Sequence, residues 1–179
     1  MPGMARIIVG ILLMVFTGWL VLLPADAGAP AGENSIELKA VKYADLGNAV
    51  RAQRGKVVVI DVWANFCIPC KREFHNLVEL HRQYADKGLV CMSVSLDQPE
   101  RKDAALKFLK KANAAFSNFW LDEKATVWQE RWKITGPPAV FVFDRQGKRA
   151  GKFDSENEDK PWSYEDVKTL IQKLLAQSS

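Results

Sequence analysis

The run Lys56-Val57-Val58-Val59-Ile60-Asp61-Val62-Trp63-Ala64-Asn65-Phe66, closed by Cys67-Ile68-Pro69-Cys70, constrains this chain more than any other feature. A continuous β-branched apolar run is the pattern of a strand buried on both faces, as in a parallel sheet. A C-x-x-C just past its end puts two thiols at the mouth of the helix that follows. There the unpaired backbone N–H groups and the positive end of the helix dipole stabilise a thiolate on the first cysteine, which activates it as a nucleophile. Pro69 costs no hydrogen bond in the first turn, and its fixed φ preorganises the helix that carries Cys70. The spacing therefore predicts a redox pair in which Cys67 attacks and Cys70 resolves.

Other uses of two cysteines fit less well. Structural zinc wants four ligands, and no second C-x-x-C, C-x-x-H or H-x3-H follows. A structural disulfide, or two buried thiols, stays open on spacing alone but leaves the strand-before, helix-after setting unexplained.

Compartment is read from the amino terminus. Arg6 precedes an apolar run from Ile7 to Leu23, and Ala25-Asp26-Ala27 supplies small residues of a cleavage site. The expected organisation is a signal peptide or N-terminal membrane anchor at 1–27, a Gly/Ala/Pro-rich linker at 28–35 and one domain at 36–179. The run is long for a signal peptide and short for a spanning helix, so cleavage and anchoring are both open. Either places the domain outside the cytoplasm, periplasmic or secreted. With three cysteines and a chain long enough for an ordinary core, the pair is expected to be kept for chemistry rather than as a staple. The 25 basic and 21 acidic residues are interspersed, and Lys107, Lys110 and Lys111 read as a solvated helix face, so no nucleic-acid partner is expected.

Hydrophobic periodicity predicts strands at Ile36–Val41, up to Trp63, Val90–Leu96, Phe116–Leu121, Ala139–Asp144 and Arg149–Phe153. Helices are predicted at Tyr43–Arg54, from the C-x-x-C to about Ala85, over Ala104–Ala112, at Thr126–Trp132 and from about Ser163. Alternating elements that close on a hairpin imply an α/β fold, a central mixed sheet flanked by helices. Asp61 stands out within its strand: a carboxylate buried there has a raised pKa and is suited to exchanging protons with Cys70. The competing reading puts it near the strand's surface end or has it satisfied by backbone donors.

Two segments carry a family resemblance. Asp61 to Lys71 resembles the W-A-x-W-C-x-P-C-K active-site segment of the thioredoxin superfamily, with Phe66 in place of the second tryptophan. Thr135-Gly136-Pro137-Pro138-Ala139 is similar to that superfamily's G-x-P-T segment, whose proline is cis and packs beside the disulfide; Pro138 is the corresponding residue. Lys71-Arg72-Glu73-Phe74, an extra helix and strand before the proline motif, and the Phe143-to-Lys148 hairpin resemble the exported TlpA/ResA-like branch of thiol-disulfide oxidoreductases. The resemblance implies a thioredoxin-like fold with a helix-strand insertion before the cis-proline, and exchange chemistry that takes no cofactor or metal. It also implies client protein disulfides as substrates, cytochrome c maturation among the services, and a membrane thiol-disulfide transporter as electron donor. Trp63, Phe66, Ile68, Pro69, Pro137 and Pro138 are the expected client-contacting residues, and Asp61 matches the superfamily's buried acid.

The chain departs from the pattern at three places. Ser93 occupies the register position where thioredoxin carries a lysine beside the buried acid. His75 replaces a helix-kinking proline, predicting a straighter helix with an imidazole about one turn beyond Cys70. Pro137 has no N–H to donate to an extended client. Cys91 and the tryptophans Trp120, Trp128, Trp132 and Trp162 read as core or core-edge residues, and His81 as a core-edge histidine. The Ile68-Pro69 dipeptide lacks the histidine of strong oxidants, favouring a reductase. A peroxidase would need a P-x3-T-x2-C setting that Val62–Cys67 does not provide; the alternative from another class is a non-catalytic scaffold on the same fold.

Overall fold

A computed structural model describes residues 36–156 and 161–177. The expectations for 1–27 and 28–35 lie outside the described residues. Within these residues, no helix is long and apolar enough to cross a membrane.

Six strands, β1 (Lys39–Val41), β2 (Val57–Trp63), β3 (Leu89–Ser95), β4 (Ser117–Leu121), β5 (Ala139–Phe143) and β6 (Arg149–Asp154), form one sheet in the order β1-β4-β3-β2-β5-β6. Strands β1 to β4 pair in parallel, and β5 runs antiparallel to both β2 and β6. The β-branched run is β2, buried along its whole length, because helices cover both faces of the sheet.

Side chains alternate across β2, which separates the core in two. Val57, Val59 and Trp63 face the layer of α2 (Ile68–Tyr84), α3 (Lys102–Lys111) and α5 (Tyr164–Ala176), packing with Phe74, Leu77, Leu109 and Ile171. Val58, Ile60 and Val62 face α1 (Tyr43–Arg51) and α4 (Ala125–Trp132), packing with Leu46, Val50, Trp128 and Trp132. The predicted insertion is α3 followed by β4. Gly147, at φ 78°, closes the β5–β6 hairpin in a backbone region that glycine enters without a steric cost. Strand β1 is shorter than predicted: Ile36 and Leu38 pack on the core, but the ladder with β4 begins at Lys39.

Candidate functional site: a dithiol at a helix N-terminus beside a buried acid

The active-site loop is built where β2 ends. Asn65 turns the chain and donates its N–H to both carboxylate oxygens of Asp97, at 2.9 and 3.0 Å, tying the loop to the segment after β3. Ser95 Oγ donates to the same carboxylate and the Trp120 indole N–H donates to the Asp97 carbonyl, so the anchor is itself fixed. Cys67 is then the N-cap of α2, and its Sγ accepts the Cys70 backbone N–H at 3.2 Å. That hydrogen bond and the helix dipole both favour negative charge on Cys67. Cys67 and Cys70 are joined as a disulfide with their Cα atoms 5.3 Å apart, within the range the bond requires.

Both cysteines are buried, Cys67 6% and Cys70 4% exposed, but their surroundings differ. Phe66 and Ile68, flanking Cys67, are 70% and 74% exposed, the exposed large apolar residues of the described chain. Pro69 is exposed as well. Cys70 points inward and lines a groove of about 450 Å³ with Asp61, Pro69, Pro138, Trp162 and Tyr164. The Pro137–Pro138 peptide bond is cis, as the motif implied, and Pro138 enters β5 at the end of the sheet where Trp63 leaves β2.

Asp61 is 4% exposed, so the reading that placed it near a surface is excluded. Burial pushes its pKa from 3.8 to about 7, with the Tyr164 hydroxyl pulling the other way by donating to Oδ2. Across the β2–β3 ladder Asp61 faces Ser93, as its register predicted, and Ser93 Oγ donates to Asn118 Oδ1 at 2.8 Å rather than to the acid. Cys91 is buried beside the same carboxylate, and burial, reinforced by that charge, pushes its thiol well above the ordinary range. It is a core residue rather than a nucleophile.

Trp63 requires a correction. Its expected place in the client groove is excluded by complete burial among Phe74 and Phe108, with ring centroids 5.4 and 4.9 Å away. It shares the parity of Val57, Val59 and Asp61 on β2, and that parity turns it into the core. His75 lies on an uninterrupted α2, as expected, but is exposed and donates from Nδ1 to the Arg72 carbonyl, away from the thiols. His81 is half-buried against the edge of Phe116. Tyr164 was not foreseen: Ser163 and Asp166 signal a helix start, and nothing local signals a contact with a residue 103 positions away.

A sequence model described as thioredoxin-like matches residues 55–149. The chain is 28% identical over 137 residues to a thiol:disulfide interchange protein DsbE homolog of Paracoccus denitrificans, covering 74% of this chain and 72% of that one. It is 26% identical over 121 residues to the thiol-disulfide oxidoreductase ResA of Bacillus cereus, covering 68% and 65% of the two chains. Among solved structures, a thiol-disulfide isomerase from Corynebacterium glutamicum superposes with a TM-score of 0.60 over 79% of this chain and 96% of that one; at 17% identity this shows a shared fold.

Proposed function

We propose that this chain, which belongs to the thioredoxin-like family, is a thiol-disulfide oxidoreductase that works outside the cytoplasm and reduces client protein disulfides through Cys67 and Cys70. The observation that carries the reading is the pair itself: one sulfur at a helix N-cap between exposed apolar residues, the other lining a groove that a buried acid also lines. The relatives named as interchange proteins and oxidoreductases support the same chemistry.

The reaction is thiolate exchange. The Cys67 thiolate attacks one sulfur of the client disulfide, the client's second sulfur leaves as a thiolate, and a mixed disulfide remains. Cys70 gives its proton to the Asp61 carboxylate and attacks Cys67 Sγ, which expels the client sulfur held in the mixed disulfide as a thiolate and closes the Cys67–Cys70 bond. Two electrons pass from dithiol to client. A carboxyl that titrates near 7 is matched to this transfer, because it can take a thiol proton and return it to solvent at neutral pH. Phe66, Ile68, Pro69, Pro137 and Pro138 form the client-docking edge.

The leader-like amino terminus supports export, and Ile68-Pro69 between the cysteines supports the reducing direction. A membrane dithiol donor restores Cys67 and Cys70, and extracytoplasmic protein disulfides, apocytochrome c among them, are the client class. The test is the equilibrium reduction potential of the pair in a glutathione or dithiothreitol series, with Cys67→Ser as the control. The expected value lies near thioredoxin's, about −270 mV. A value near −120 mV would make the protein an oxidant, and failure to form the disulfide would overturn the catalytic reading.

A further inference from the structure

Asp61 has no ion-pair partner among the described residues, although Arg72 lines the same groove. Across β3 stand Ser93, whose hydroxyl is committed to Asn118, and Cys91, a buried neutral thiol. Across β5 its register partner is Val140. Helix α2 presents Cys70 and Glu73 to the groove that Asp61 lines, with Arg72 on the same groove, and β6 contributes Asp154. Among the described residues, no cation forms an ion pair with the carboxylate; its side-chain hydrogen-bond partner is the Tyr164 hydroxyl from α5.

That hydroxyl is held firmly. Tyr164 is the first residue of α5, whose start is fixed by Ser163 N–H and Oγ donating to Asp166 Oδ2 at 2.8 Å each. Val167 and Ile171, farther along the helix, are fully buried in the core. The Tyr164 ring packs on Trp162 at 5.8 Å, and Trp162 packs on Phe153 at 6.0 Å. The phenol therefore reaches the acid from the first turn of a helix whose later turns pack into the core.

We propose that Tyr164 is the positioning residue for Asp61: its hydroxyl holds Oδ2, fixes the carboxyl's orientation, and leaves Oδ1 to exchange a proton with Cys70. This rests on the reading of Asp61 as the proton acceptor for Cys70. A lysine in this role would add a full positive charge and pull the carboxyl down by one to three pKa units. A neutral donor stabilises the carboxylate less, so the acid stays near neutrality and titrates alone. Tyr164 keeps its own proton throughout, because burial and the neighbouring carboxylate push its pKa far up. In each turnover the Cys70 proton moves to Asp61 and then into the groove's solvent, while the hydroxyl keeps its proton and holds the carboxyl in place.

Two readouts on the full chain test this. The carboxyl-carbon NMR shift of Asp61 follows its titration, and stopped-flow reaction of the reduced protein with oxidised glutathione follows the step in which Cys70 expels glutathione from Cys67. Tyr164→Phe keeps the ring and removes the donor. The Asp61 titration is expected to move up by about one pH unit, and the resolving step to slow roughly fivefold at neutral pH and recover in alkali. In an Asp61→Asn background, Tyr164→Phe is expected to leave the pH dependence of that step where Asp61→Asn alone puts it. An unmoved Asp61 titration in folded Tyr164→Phe overturns the assignment of Tyr164 and leaves the acid's role intact. A wild-type pH dependence of the resolving step in Asp61→Asn overturns both.

Discussion

The two faces of the central sheet are both covered by helices and are built from different materials. On the α1/α4 side, β2 presents Val58, Ile60 and Val62, and the layer is closed by Phe141, Trp128 and Trp132. On the α2/α3/α5 side, the same strand presents Asp61 between Val59 and Trp63, and the layer also holds both redox cysteines. Ser93, Asn118 and Cys91 stand on β3 and β4 nearby. One face is packing; the other spends part of its packing on groups that titrate or react. Burying a carboxylate without a cation costs free energy whenever it ionises, so the chemistry of the second face is supported by the apolar order of the first.

The comparison can be broken most forcefully on the apolar face. Phe141 is 1% exposed and stacks on Trp132 at 5.5 Å. Phe141→Ala is expected to lower unfolding free energy by about 3–5 kcal/mol, measured by denaturant titration, and to leave the potential of the thiol pair at its wild-type value. A shift in potential would show that the two faces are coupled through the sheet.

Next comes Asp61→Asn, which sharpens the cost of the reactive face. Because the folded-state pKa of Asp61 is raised to about 7 from 3.8, folding binds its proton more tightly than the unfolded chain does. The stability this gives is fully present below about pH 4, declines as pH rises, and is gone above about pH 7. The variant has no proton to lose, so its stability is expected to stay level over that window while wild type falls by up to about 4 kcal/mol. Parallel stability curves for the two proteins would mean that the carboxyl is not desolvated as its burial indicates.

The smallest effect is expected at the docking edge, where neither face is disturbed. Pro137→Ile restores a backbone N–H beside Pro138, and turnover of a peptide disulfide should rise about fivefold in kcat/KM, the worth of one added hydrogen bond. Equal turnover would remove strand-like pairing from the account of client binding.

Much of this was legible in the chain because it depends on local rules. The β-branched run announced β2, the proline and cysteine spacing announced the N-terminus of α2, and Gly136-Pro137-Pro138 announced the cis bond. Strand parity was legible too, and counting from Val59 through Asp61 to Trp63 puts all three on one face; the family motif's suggestion of a surface tryptophan ran against that count. What local rules do not contain is the partner of a buried group. Tyr164 and Asp61 are brought together by how α5 returns across the sheet, and the Asp97 clamp on Asn65 depends on how the segment after β3 lies beside the active-site loop. Each such contact is set by the assembled tertiary structure rather than by periodicity, propensity or capping.

The register of β2 against β5 has a further consequence for how the molecule breathes. The five paired positions from Val58–Phe143 to Val62–Ala139 hang the thiol loop and Pro138 on adjacent strands, neither of them at an edge of the sheet. Strands at the margins fray first, and β1 and β6 are the margins here. Partial opening of either margin is expected to leave the two halves of the reactive centre in register, so that the centre outlasts fluctuations that expose the rim of the fold, with the amide protons of Val59 to Val62 among the last exchanged with solvent.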